Sequence, residues 1–450
     1  MTLQDAIRTY HDLLTDEMAT ATQGQLDEQM RRRGLYFGER PLCTVLRPRF
    51  LTPDQYTFLR KAIRPLLSAF EKISDRAVED PEFCAQFGLL DWERELIQVD
   101  PGFRSHTPLS RLDAFFMANE QNHLRFTEYN AEVPAASAYN DVLTKVFLGL
   151  PVMGEFLKQY VVRSLMTRHN VLHVLLQAYK EWGGAQRPNV AILDWREVPT
   201  YSEFELFIRY FEAQGITCQI IDPRDVEYTN GRLVCGDFRI DLIYKRVLIT
   251  ELVERGGLDH PVVRAVRDGA VCMVNPFRCK ILYKKASLSV LSDERNADMF
   301  TEAEQQAIQA HIPWTRNVEE RHSTYGNLPI DLAPFILKYR ERLVLKPNDD
   351  YGGRGIVLGW QTNSSGWEKA VAEALESPYI VQERVPIPEE PYPSIVDGRL
   401  QIYDRMLDTA PFIFYGNYVD GCLTRLSNDP LLNVSAGGGS SVPTFVVEPR

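Results

Sequence analysis

The sequence has no apolar run approaching the ~18 residues that a membrane span needs. Its first residues, MTLQDAIRTYHDLLTDEM, are charged and amphipathic and hold no apolar signal core. A soluble, cytoplasmic chain without a membrane partner is the expectation. Basic charge is scarce: 50 Lys and Arg stand against 61 Asp and Glu, a formal net charge of −11, which argues against nucleic acid as a partner. The run Arg31-Arg32-Arg33 reads as a solvated patch at a helix end. Cysteines number seven (43, 84, 218, 235, 272, 279 and 422), an odd set with no CxxC pair. Buried free thiols are therefore expected rather than disulfides or a zinc site. Neither a GxSxG elbow nor an HExxH helix is present; His169 and His173 enclose Asn-Val-Leu without the glutamate.

At 450 residues the chain exceeds one small core, and two or three domains are expected. Hydrophobic residues at 44% and charged residues at 25% are ordinary globular values. Residues 1–185 read as a mainly helical region, with apolar residues at helical spacing over 54–73 and 139–182. The stretch WGGAQRPN, 182–189, reads as a linker. Residues 186–276 change grammar. NVAILDW is an apolar strand, and Thr200 and Glu203 have capping-box spacing for a following helix. GITCQIIDP, residues 240–247 and AVCMVNP supply further strands, with an Asn230-Gly231 hairpin turn between. Such alternation predicts an α/β, Rossmann-like layer with a largely parallel sheet. Residues 277–450 hold another helix, a polar connection, several strands and the low-complexity AGGGSS.

One stretch carries chemistry: LVLKPNDDYGGRGIVLGW, 343–360, two apolar runs joined by a polar, glycine-rich tip. Gly352, Gly353 and Gly355 cost backbone entropy and suit a loop whose N–H groups approach an anion. Lys346, just before them, supplies a charge suited to phosphate. A Walker loop has its lysine after the glycines, a dinucleotide loop runs into a helix, and a kinase glycine loop precedes its lysine. Lysine first and then a glycine hairpin resembles the ATP-grasp enzymes.

Further segments resemble that superfamily in order, from about 120 to 450, and in particular its circularly permuted, glutathionylspermidine-synthase-like group. NPFRCKILYKKASLSVLSDE resembles the strand-turn-helix with the first nucleotide lysine, implying Lys285, with Lys284 as alternative. YIVQERV resembles the interdomain strand that meets adenine, implying Gln382, Glu383 and Val385. MLDTAPFIF, GCLTRLSND and LLNVSAGGG resemble the catalytic floor, implying Arg425 at the transferred phosphoryl group and Asp408 and Asn433 on Mg²⁺. Asp404 and Asp429 are rivals for the metal. Related ligases carry Glu-x-Asn there, whereas Leu431 stands two residues before Asn433. The resemblance implies ATP and Mg²⁺ as cofactors, an ATP-grasp fold after the Rossmann-like substrate domain, and catalytic roles for Lys346 and Arg425.

Substrate positions follow from the residues. Glu128, Asn130 and Glu132 alternate along EYNAE and would share one strand face toward an amine. Asp194, with Arg196 nearby, and Lys245 with Arg246 sit at strand ends of the α/β layer, where ligands bind in open sheets; a Lys245–Asp241 salt bridge is the competing arrangement. Asp349 and Asp350 read as a solvated loop tip. The expected activity is an ATP-dependent carboxylate–amine ligase working through an acylphosphate on small-molecule substrates. Small-molecule kinase activity and a catalytically weak nucleotide-binding role are the competing possibilities.

Overall fold

The computed structural model describes residues 2–118, 123–350, 352–431 and 439–450. The long helix Pro53–Glu79 opens on a capping box of Thr52 and Gln55, which satisfies amide groups that the first turn leaves unpaired. The helical segment expected over 139–182 is broken. Helices Ser137–Leu148, Pro151–Phe156 and Arg168–Trp182 are separated by a turn and by the strand Tyr160–Ser164. Pro151 has no N–H to continue the preceding helix and instead starts the next one.

Residues 1–185 are woven into the C-terminal half. Strands Leu109–Met117 and His123–Asn130 join a nine-stranded sheet beside Ala410–Phe414. Strands Arg49–Leu51 and Tyr160–Ser164 flank Ser440–Pro449 in the same sheet. One face of the inserted hairpin, through Leu112, Phe116, Leu124, Phe126 and Tyr129, packs under helix Pro53–Glu79.

The middle layer holds four short parallel strands, Val190–Leu193, Cys218–Ile221, Leu242–Lys245 and Cys272–Val274. Their side chains are largely apolar and buried, as a parallel sheet covered on both faces requires. Asn230 and Gly231 both have positive φ, 51° and 70°, the requirement of a tight hairpin turn. The Thr200–Glu203 capping box is not formed. Glu203 is buried and accepts from Arg246 Nη2 at 3.0 Å and from the Ala138 N–H at 3.1 Å. Leaving that buried guanidinium without a counter-ion would cost more than leaving a helix uncapped.

A four-stranded antiparallel sheet runs in the order Thr315–Asn317, Tyr379–Glu383, Leu343–Pro347, Val357–Leu358. Leu343, Leu345 and Val381 pack against Ile336 and Trp367 of the helices behind it. Strand alternation therefore turns Val344, Lys346 and Gln382 the other way, into a cleft shared with the nine-stranded sheet. All seven cysteines carry free thiols, six of them buried. Among the described residues no helix is long and apolar enough to cross a membrane.

Asn275, buried at the end of the parallel strand Cys272–Val274, joins two layers. Its Oδ1 accepts from the Leu109 N–H at 2.9 Å, and its Nδ2 donates to the carbonyls of Leu109, Ala131 and Glu132 at 2.7–3.0 Å. Asn275→Ala strands buried backbone groups, so urea unfolding should show a loss of about 3 kcal/mol.

Candidate active site

The floor of the cleft is made by strand pairing. In the inserted hairpin Arg111 lies opposite Asn130 and Asp113 opposite Glu128. The register then steps to Ala114–Phe126, leaving Thr127 as the extra residue of a bulge. Through the bulge, Phe126 and Tyr129 both stay in the core while Thr127 and Glu128 line the cleft. Ala114 also pairs with Thr409, with N–H···O distances of 3.0 and 2.9 Å, which brings Asp408 beside Asp113.

Arg425 bridges these two acids. Its backbone N–H and Nε each donate to Asp408 at 2.6 Å, and Nη2 donates to Asp113 Oδ2 at 2.6 Å. Arg111 grips the other side of Asp113 at 2.7 and 3.1 Å. Burial would raise the Asp113 carboxyl, but the guanidinia of Arg111 and Arg425 outweigh it and hold it below its ordinary value. Asp408 is pushed the other way: burial leads, Arg425 opposes and Asp113 repels.

Across the cleft, Lys346 donates to Gln382 Oε1 at 2.8 Å and to the Thr127 carbonyl at 3.1 Å. Burial, resisted by Glu128 and helped by Lys285, brings its ammonium down to about 8. Lys285 pairs with Glu128 at 3.2 Å and donates to the Asp350 carbonyl at 2.5 Å. The glycine loop is fixed at its base by Asn348. That residue is bonded to the Phe87 and Pro378 carbonyls and to the N–H groups of Lys285 and Ala286. Gly352, Gly353 and Gly355 all have positive φ (67°, 76° and 66°), and a Cβ on Gly355 would meet Pro347 Cγ at 2.7 Å. The cleft also has an apolar lining of Phe115, Ile356, Leu358, Trp360, Val385 and Ile387. The cavity within the cleft measures about 120 Å³, below the ~300–1,000 Å³ of small-molecule sites, so a ligand of that size requires the cleft to open.

The cleft thus gathers Lys346, Gln382, Glu383, Val385, Asp408, Arg425 and Glu128. Glu383 also accepts from the Tyr325 hydroxyl at 2.6 Å. Asn130 ends its strand with a buried Nδ2 that has no hydrogen-bond partner. Asp404 and Asp429 are exposed, and Asp429 accepts from the Leu431 N–H at 2.8 Å. Asn433 lies outside the described residues. Glu132 does not share a face with Glu128: the strand ends at Asn130, and Glu132 is fully buried against Lys245, Lys280 and the Ile249 N–H. Lys245, Arg246 and Asp194 do not line the cleft. Lys245 pairs with Glu132 and Arg246 with Glu203, both buried, while Asp241 pairs with Arg239 instead of Lys245. Asp194 accepts from the Trp195 N–H, and burial, against Arg246, raises its carboxyl to about 6. Arg196 pairs with Asp222 and Asp225 outside the cleft. Asp349 is no loop tip: Lys280 and Lys284 hold it at 2.9 and 2.6 Å.

Arg111 and Asp113 are the residues that sequence reasoning missed. Their signal is LSRLDAFFM, a strand in which two charged residues alternate with apolar ones. The Glu-x-Asn spacing sought at 431–433 occurs instead as Glu128-Tyr129-Asn130.

No family model and no curated protein matches this sequence. Among solved structures, the chain is similar to a glutathione synthetase-like effector from Globodera pallida in its apo form. That match has a TM-score of 0.61 and 13% identity, over 95% of this chain and 96% of the other. A carboxyaminoimidazole ribonucleotide synthase from Aspergillus clavatus complexed with ATP aligns over 55% of this chain and 59% of its own, at 12% identity. Its TM-score of 0.23 is too low to bear on the fold. The mixed α/β architecture is similar to that of the glutathione synthetase-like effector over nearly the whole chain.

Arg425→Met would leave the carboxylates of Asp113 and Asp408 buried against each other. Denaturation at pH 7 should show a loss of about 3 kcal/mol. The deficit should shrink toward pH 5, where one carboxyl takes up a proton that the unfolded chain binds less readily. Adding Asp408→Asn should recover part of it.

Proposed function

We propose that this protein is an ATP-dependent ligase that joins a small-molecule carboxylate to an amine. The observation that carries this reading is the convergence, on one cleft, of Lys346 and of Ile356, which follows the glycine loop, from one sheet with Glu128, Asp408 and Arg425 from the other. ATP lies in the cleft with its base against Trp360, Leu358 and Val385 near the backbone of Gln382 and Glu383. Its phosphates are met by Lys346, Lys285 and the loop N–H groups. The substrate carboxylate attacks the γ-phosphorus, the bond to the β-phosphate oxygen breaks, and ADP leaves. Arg425, a fork-shaped donor, holds the transferring group. An amine then attacks the acyl carbon, and inorganic phosphate departs as the amide forms. The loop excludes water from the acylphosphate.

The oxygens of Asp113, Glu128 and Asp408 are the hard donors that Mg²⁺ prefers. Asn130 adds an amide whose buried nitrogen has no partner, and exchanging its amide atoms would turn the oxygen to the same place. Among the described residues no group of three or more His, Cys, Asp or Glu is arranged to hold a metal ion, so an ion here would need further ligands from the bound nucleotide. Such an ion would offset the charge of the outer phosphates. The N-terminal hairpin seated within a sheet otherwise dominated by C-terminal strands supports a circularly permuted order.

Calorimetric titration of Mg-ATP should show binding to the wild type and an affinity about 10- to 100-fold weaker for Lys346→Ala. Absence of binding to either protein would overturn the nucleotide site. Hydroxylamine added during turnover should trap a hydroxamate with release of ADP; phosphorylated product without trapping would identify a kinase.

The Lys346 charge is present below pH about 8 and lost above it. ATP affinity should therefore fall as pH rises from 7 to 9, and this dependence should be absent in Lys346→Met. The ligand-free fold should change in the opposite sense, gaining stability over the same range as burial of that charge is relieved.

A further inference from the structure

Beside the cleft lies a second set of charges that the ligase chemistry above does not use. Lys245, Lys280 and Lys284 face Glu93, Glu132 and Asp349, three cations to three anions. Thr250 Oγ1 accepts from Lys280 at 2.8 Å, whose ammonium also lies 4.5 Å from the Tyr283 ring centre. Five of the six charged side chains are at most 2% exposed; Asp349 is 22% exposed. The five sit on helices, on a strand or within two residues of the end of one. Asp349 alone belongs to the glycine loop, one residue after the Asn348 anchor.

Each oxygen of Asp349 takes one ammonium: Oδ1 from Lys280 at 2.9 Å and Oδ2 from Lys284 at 2.6 Å. We propose that Lys280 and Lys284 form a carboxylate receptor, which the chain's own Asp349 fills until a substrate carboxylate displaces it. Removing Asp349 leaves three cations against two anions, and one unmatched positive charge among buried groups is a strong attraction for an incoming anion. Lys285, next in sequence to Lys284, already contacts Glu128 of the cleft, so the receptor adjoins the proposed phosphate end. Only the identity of the natural ligand, an acid substrate, rests on the ligase reading.

The test uses acetate and no nucleotide, so its failure is distinct from failure of that reading. Asp349→Ala should melt at a lower temperature than the wild type. Acetate should recover most of that loss saturably, while chloride at equal ionic strength should not. Adding Lys284→Met should abolish the recovery. In the wild type, acetate should release the loop and accelerate tryptic cleavage after Arg354, which also serves if Asp349→Ala does not fold. Equal effects of acetate and chloride in both assays, or recovery that survives Lys284→Met, would overturn the receptor.

Discussion

The cleft depends on one seam of backbone hydrogen bonds, where Leu109, Ser110 and Arg111 pair with Phe414, Ile413 and Phe412. A strand edge is a row of unpaired donors and acceptors, and here the edge of a C-terminal strand is closed by a hairpin from the N-terminal third. Asp113 comes within reach of Arg425, and Glu128 within reach of Lys285, because that hairpin lies in this register. Helix Pro53–Glu79 then presses on the back of the hairpin and fixes its tilt.

Charge is placed by the same economy throughout the interior. Arg425 lies between two acids, Glu203 beneath Arg246, and Glu390 between Arg47 and Arg49. Such arrangements add little net stability over apolar packing, but removing one partner is costly, so they hold each side chain to one geometry. Lys346 is different. Its hydrogen bonds go to neutral oxygens, and burial disfavours its charge. The apo protein pays for a cation placed where an anion would relieve it, and this asymmetry distinguishes the cleft from the structural ion pairs around it.

Much of this was legible in the sequence. The order lysine, glycines, strand marks the loop at 343–360, and the apolar runs of residues 186–276 mark the parallel layer, because both are local patterns of spacing. Long-range pairing is not local. Nothing in EYNAE shows that the strand stops at Asn130, so that Glu132 turns toward Lys245 instead of joining Glu128. Thr200 and Glu203 have the spacing of a cap, yet a guanidinium more than forty residues away claims the carboxylate. Arg111 and Asp113 read as an ordinary polar alternation until Ala114 pairs with Thr409 and brings Asp408 alongside. Sequence spacing describes which side chains share a face; which face meets which is decided by sheet register.

The weaving of early strands into late ones also constrains how the chain is made. Arg49 pairs with Thr444, and Ser164 with Phe445, so strands synthesised early wait for one made hundreds of residues later. Until then those edges lack their partners, a condition that slows folding and invites aggregation. The parallel layer, whose strands lie between residues 190 and 274, can assemble first and serve as the platform. The cleft combines Asp113 and Glu128 with Asp408 and Arg425, so a nascent chain has no means of engaging a ligand there until those later residues have been made.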